Sequence, residues 1–323
     1  MLKIGIIKNK IPQGGPQIFM NRLLRSIINQ KLANVINAKY PFFDIGLYSS
    51  VAKNIYHKKY VLRIDGIYYD LDNTVGNNDI LNETIFKSID NASGIIFQSQ
   101  FSKKLVEKFY GKIDKPYEII FNGTYIPTED PLKKREDYDI PSNKIIFVAS
   151  ARWRRWKRLR EITEIFMELN LKYKDLFLLV LGNNPDYTIK NDRIKYLGDI
   201  NNQDLTNILQ LSDGMFHLAW LDNCPNTVVE GIACGIPVLC SNQGGTKELI
   251  VSTDGGIISA VDEKFKYEQV KLYEPPSMDM SILYQDGQKF LNNLHVIKAK
   301  INKQVIDIDF ISSKYVNFIN TCY

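Results

Sequence analysis

Two carboxylates in the stretch WLDNCPNTVVEGIACGIPVLC (220–240) are placed where chemistry would need them. Glu230 interrupts an otherwise apolar helical pattern, and a buried unpaired carboxylate is costly there. Asp222 lies eight residues earlier, in a polar break. Pro225 and Asn226 start the helix, a position that suits proline. The backbone N–H groups around Asn226 and Thr227 then face the space beyond the strand ends. Glu230 is about one turn further in, within reach of sugar hydroxyls, and Asp222 aims at the same space from the loop. Such a pair can bind the polyol parts of a ligand whose phosphates sit on the helix N-terminus. The plainer alternative is a helix-capping Asp and a partly exposed Glu.

A second cluster is basic. The strand KIIFVAS (144–150) runs into ARWRRWKRLR, with Arg152 just past the strand end and Lys157 at the start of the next predicted helix. Two cations beside a helix N-terminus make an anion site. The same run also reads as a solvated basic face, or as a nucleic-acid patch with Trp153 and Trp156 interleaved. Glycines punctuate the same rim: Gly14 and Gly15 after the first strand, Gly182 in LVLGNN, YLGDI (196–200), and the pair in SNQGGTKELI. Each permits close approach of backbone to a ligand, or is simply a tight turn. The first turn is not GxGxxG, and no acid ends a clear second strand about twenty residues on, so a nicotinamide dinucleotide site is not expected. The four cysteines contain no CxxC pair and the three histidines (His57, His217, His295) are scattered. No zinc site is expected, and the thiols read as reduced, small core residues.

These residues need a scaffold that brings strand ends together. Short apolar runs alternate with amphipathic stretches, the signature of parallel βαβ units. Strands are expected at 2–7, 44–48, 60–65, 94–99, 117–123, 144–150, 176–182, 193–200, 214–220 and 236–241, with helices between them and beyond about 281. The charged segment 124–143, carrying three prolines, breaks both periodicities and reads as a linker. At 323 residues, two α/β domains of similar build follow. Hydrophobic content of 45%, charged content of 24% and an aromatic share of 11% are those of a globular chain. A net charge of +5 is weak support for nucleic acid or an anionic membrane. The N-terminus lacks an h-region and cleavage site, and no apolar run spans a bilayer. A cytoplasmic protein is expected, with a peripheral membrane contact through FMNRLLRS and IYHKKY left open.

The motifs ARWRRWK, LVLG, IKYLGDI followed by DLTNILQLSDGMFHLAW, and DNCPNTVVEGIACGIPVLCSNQGGTKELI stand together in an order that resembles a known family. They look like the donor-binding half of the retaining, family-four-type glycosyltransferases of GT-B fold (glycosyl transferases group 1). The resemblance is dense over 145–250 and sparser over 1–123. It implies two Rossmann-like domains with a cleft between them: 1–130 on the acceptor side and 131–304 binding the donor. The last helix, about 305–323, would cross back onto the first domain. At this length the acceptor-facing loops would be trimmed.

By that resemblance, a UDP- or GDP-linked hexose or N-acetylhexosamine would be transferred to a glycan, lipid-linked or other acceptor, with no metal or other cofactor and no nucleic acid. Arg152 and Lys157 would neutralise the leaving diphosphate. Glu230 would bind the ribose, Asp222 with the amides of Asn226 and Thr227 the hexose, and Asp199 and Ile200 the base. Gly14, Gly15 and Gly182 would let backbone approach the donor. Three departures stand out. Asp222 replaces the usual Glu, NCP replaces Gly-Phe-Gly, and Asp65 in RIDG stands where relatives carry a His. Asp65 would orient acceptor or hexose, or cap a turn. An epimerase or phosphorylase of the same fold, a polyanion-binding protein and an inactive sugar-nucleotide binder are the alternatives.

Overall fold

The computed structural model describes residues 1–6, 14–40, 42–52, 59–72 and 76–323. Most of the turn KNKIPQGG and residues 55–58 of IYHKKY lie outside these described residues.

The first half forms a six-stranded sheet from β1 (Lys3–Ile6), β2 (Asn34–Asn37), β3 (Ile45–Ser49), β4 (Tyr60–Ile64), β5 (Gly94–Phe97) and β6 (Tyr117–Ile119), in the order β2-β1-β3-β4-β5-β6. The second half repeats the plan with β7 (Ile145–Ser150), β8 (Leu176–Leu181), β9 (Ile194–Gly198), β10 (Gly214–His217), β11 (Val238–Ser241) and β12 (Gly256–Ser259), ordered β12-β11-β10-β7-β8-β9. Every pairing is parallel. Parallel strands are covered on both faces, so they must be apolar throughout. LFLLVL in β8 and YVLRI in β4 are buried at every position.

Strand order reverses between β7 and β10, which are parallel neighbours in the sheet though far apart in sequence. That crevice is where open α/β sheets bind ligands. It brings the end of β7, carrying the basic run, beside the end of β10, carrying Asp222.

The helices follow the apolar spacing of the sequence. In α4 (Leu159–Lys172), Leu159, Ile162, Ile165, Phe166 and Leu169 are all 1% exposed or less. Burying each stabilises by about 1.5–3 kcal/mol. Asp222 and Glu230 frame α6 (Asn226–Ala233). The edge strands β2 and β12 have no counterpart in the sequence pattern. Each has four residues and only two strongly apolar ones, and pairing with β1 and β11 holds it extended. Conversely, β6 stops at Ile119 rather than at 123, which leaves Asn122 free to turn inward.

The C-terminal helix α9 (Ile308–Cys322) lies on α1 (Gly15–Asn29). Ile308, Ile311, Tyr315 and Ile319 share a core with Ile4, Phe19, Leu23 and Ile27. Ser26 Oγ donates to Asp309 Oδ1 at 2.6 Å, and Gln30 Nε2 to Ser312 Oγ at 2.7 Å. The segment FMNRLLRS therefore faces inward at Phe19, Leu23, Leu24 and Ser26. Among the described residues, no helix is long and apolar enough to cross a membrane.

Candidate active site

A cleft of about 420 Å³ lies between the two sheets and is lined from both. Two helices begin at its wall. Gly14, at φ +80°, precedes α1, and Pro225 precedes α6; neither helix has a side-chain cap. Helix N-termini turn the positive end of the helix dipole toward such a space. Gly15, Asn226 and Thr227 line the cleft, and Asn226 Nδ2 donates to the Gly15 carbonyl at 2.9 Å. A Cβ on Gly15 would lie 3.3 Å from that amide nitrogen, so the missing side chain permits the approach.

Arg152 follows β7, lines the cleft, is exposed and makes no ion pair among the described residues. Lys157 is not on the next helix, as its spacing predicts. It closes a 3-10 turn (Arg155–Lys157), and Arg158 follows with φ +60° before α4 begins. This kink turns Lys157 back over the strand ends and drives the Arg158 guanidinium into the core. There Asp262 accepts two bonds from Arg158, at 2.8 and 2.6 Å. Arg155 is bidentate to Glu161, and Arg160 bonds Glu164. Trp153 is buried and Trp156 packs edge-on against Tyr273. The basic run is thus largely committed to acids and its tryptophans to packing, which removes the exposed basic–aromatic face.

Lys157 Nζ is bonded to Asp222 Oδ2, and His217 Nε2 lies 3.5 Å from the same oxygen. Burial alone would raise the Asp222 carboxyl, but Lys157 and His217 hold it well below the usual carboxylate range. Burial pushes the His217 imidazole down, with Asp222 opposing. Glu230 is one turn into α6, as its spacing predicts, and Arg22 of α1 donates to it at 2.5 Å. Burial raises the Glu230 carboxyl and Arg22 counters that. Asp222 itself is held by its backbone, since Gly245 N donates to its carbonyl at 2.7 Å. The SNQGG glycines therefore serve the loop under Asp222: a Cβ on Gly244, at φ +79°, would lie 2.7 Å from the Asp222 carbonyl oxygen.

Asp65 also lines the cleft, but its oxygens are already engaged. Oδ1 accepts from Arg63 Nη1 and from Gln98 Nε2 (2.9 Å), and Oδ2 from the hydroxyls of Ser49 and Ser50. These four bonds tie it to the strand ends of the first sheet. Arg63, fully buried over the Phe19 ring, continues the network by donating from Nη2 to Asn122 Oδ1 at 2.7 Å. Asn122 Nδ2 reaches Asn226 Oδ1 at 2.9 Å and the Cys224 carbonyl at 3.0 Å. A polar chain thus runs from Asp65 through Arg63 and Asn122 to the first residue of α6, binding the two halves.

Gly182, Asp199 and Ile200 do not line the cleft. Gly182, at φ +106°, is glycine because a Cβ would run into the Ala151 carbonyl. Asp199 is exposed and bonded to the Asn183 amide, and Ile200 packs on the core beneath. From that side the wall is Asn202 and Leu205, at the start of α5 (Asn202–Gln210). Arg22, Gln98, Asn122, His217 and Asn223 were not expected as site residues, although His217 lies in GMFHLAW and Asn223 in NCP. His217 carried a further signal, as a titratable residue in an apolar strand.

Two parallel Rossmann-like sheets facing across a cleft of this kind define the GT-B fold of glycosyltransferases. Comparison agrees at the level of sequence: residues 131–267, the segment that holds Arg152, Lys157, Asp222 and Glu230, match the family model Glycosyl transferases group 1. Over 160 residues the chain is 26% identical to N-acetyl-alpha-D-glucosaminyl L-malate synthase of Bacillus anthracis, a match spanning 47% of this chain and 41% of that protein. Sucrose-phosphate synthase from Thermosynechococcus elongatus has the same fold, with TM-score 0.74 and 12% identity over 99% of both chains. Anabaena HepE, solved in complex with UDP-glucose, superposes with TM-score 0.67 and 15% identity over 99% of this chain and 100% of that one.

Proposed function

We propose that the chain transfers a hexose or N-acetylhexosamine from a UDP- or GDP-sugar to a glycan, lipid-linked or other acceptor, in the cytoplasm, with retention and without a metal ion. The observation that carries this reading is the gathering of Arg152, Lys157 and two uncapped helix N-termini about one cleft, with Glu230 one turn beyond. A diphosphate placed there meets two cations and the positive ends of two helices. These supply the counter-charge that a metal would otherwise provide. Glu230 then faces the ribose, and Asp222 the transferred sugar.

In the reaction, negative charge grows on the diphosphate as the glycosidic bond to it breaks. Lys157 and Arg152 stabilise that charge in place, the kind of effect worth about 10²–10³ in rate per donor. The acceptor hydroxyl attacks from the face the diphosphate leaves and gives its proton to the departing phosphate oxygen, so configuration is retained. HepE was solved with UDP-glucose, and the pneumococcal GtfA with UDP and GlcNAc, which favours a uridine donor.

A thermal-shift panel of UDP, GDP, ADP, CMP and dTDP, with their sugar conjugates, tests the reading. A ligand that binds only the native state raises the melting temperature by mass action. One nucleotide should stabilise the wild type and leave Glu230→Ala unmoved. If none shifts the wild type, the donor site is wrongly assigned. Incubation of that sugar nucleotide without acceptor would expose an epimerase by converting the sugar.

A further inference from the structure

His217 ends β10 beside the crevice where the strand order reverses and lines the cleft, yet it is only 5% exposed. Its Nε2 is buried without a hydrogen-bond partner. An unmet buried polar atom costs about 1–3 kcal/mol, and its neighbours Met215, Phe216 and Leu218 show that an apolar residue suits the strand. What lies near Nε2 is Asp222 Oδ2, at 3.5 Å, and that oxygen is already bonded to Lys157. The carboxylate stands between two donors and uses one.

We propose that His217 takes over Asp222 when Lys157 is drawn onto the leaving diphosphate, acting as a positioning residue for the sugar-binding carboxylate. The proposal rests on the donor site described above. Asp222 is 19% exposed; a carboxylate this far from water, stripped of its cation, would be strongly destabilised. A side-chain rotation of about half an ångström brings Nε2–H into bonding range. No proton moves and no bond is made or broken. The Asp222–Lys157 pair opens, an Asp222–His217 hydrogen bond forms, and the carboxylate keeps both its charge and its place against the sugar.

The test is a double-mutant melting cycle on the full chain without ligand, using His217→Leu and Lys157→Ala. In the wild-type background His217→Leu should change the melting temperature little, because Lys157 still holds Asp222 and the substitution removes an orphaned polar atom. In the Lys157→Ala background it should lower it by about 2 °C or more, because Asp222 then loses both donors. Lys157→Met replaces Lys157→Ala if the alanine variant does not fold. His217→Gln, which carries an amide donor, should restore the loss. Additive effects of the two substitutions, or equal losses for Leu and Gln, overturn the exchange. In transfer assays at saturating donor, His217→Leu should cut kcat about tenfold with the donor KM little changed, and His217→Gln should recover most of it. The melting cycle uses no donor, so it decides the exchange even where the nucleotide panel shows no binding.

Discussion

Arg22 Nη2 lies 2.5 Å from Glu230 Oε1, joining a cation on the first helix of one sheet to the carboxylate one turn into a helix of the other. The two side chains are 17% and 13% exposed, between a surface pair and a buried one. Arg22→Leu should therefore destabilise by about 1–3 kcal/mol, more than an exposed pair is worth and less than a fully buried one. Adding Glu230→Gln should recover part of that loss. Urea denaturation of the four proteins checks it, and zero coupling would mean that the pair does not bind the halves together.

Lys157→Ala should lower the transfer rate by about 10²–10³ while weakening nucleotide binding much less, because its charge is needed most as the diphosphate departs. Steady-state kinetics decide this. Transfer at the wild-type rate would remove Lys157 from the mechanism.

Asn122→Leu should cost about 1–3 kcal/mol, since Arg63 Nη2 and the Asn226 side chain would each lose a buried or half-buried partner. The nucleotide KM should rise as well, because Asn226 starts the helix that faces the phosphates. An unchanged KM with lowered stability would confine Asn122 to the fold.

Gly182→Ala combines a left-handed backbone at φ +106° with a collision against the Ala151 carbonyl, next to Arg152. A loss of about 1–3 kcal/mol is expected, with a lower urea midpoint at constant m-value. Donor binding should weaken through Arg152. A neutral substitution would show that the rim can move apart freely.

Asp222 has a folded-state pKa held below its unfolded value by Lys157 and His217. Its contribution is therefore fully present above about pH 4 and is lost as pH falls through the folded value. The gap in unfolding free energy between wild type and Asp222→Asn should be constant from pH 5 to 7 and shrink below pH 4. A gap independent of pH down to 3 would mean that the ion pair contributes nothing.

Much of this architecture was legible from spacing. Leu159, Ile162, Ile165, Phe166 and Leu169 recur at helical intervals and form the buried face of α4, because a helix presents those positions to one side. The uninterrupted LFLLVL announced a strand covered on both faces. The positions of Asp222 and Glu230 about Pro225 were local facts, so their joint presence in the cleft could be read from one segment. Lys157 was harder: its place depends on a turn closed by Arg158 in the left-handed region, which the core pairing of Arg158 with Asp262, 104 residues away, holds in place.

By itself, then, the amino-acid order determined the alternation of strands and helices, the doubling of the α/β unit, and which strand-end loops carry cations and acids. These depend on periods of two and 3.6 residues and on turn chemistry, all short-range. The tertiary structure alone decided which charges meet. It gave Glu230 to Arg22, Asp222 to Lys157 and His217, and Asp65 to four donors of its own sheet; it drew Asn122 across to α6, and it left Arg152 exposed without an ion pair among the described residues. Partner choice among charged side chains is set by ångström-scale distances and burial between segments as much as 208 residues apart, and no periodicity records that.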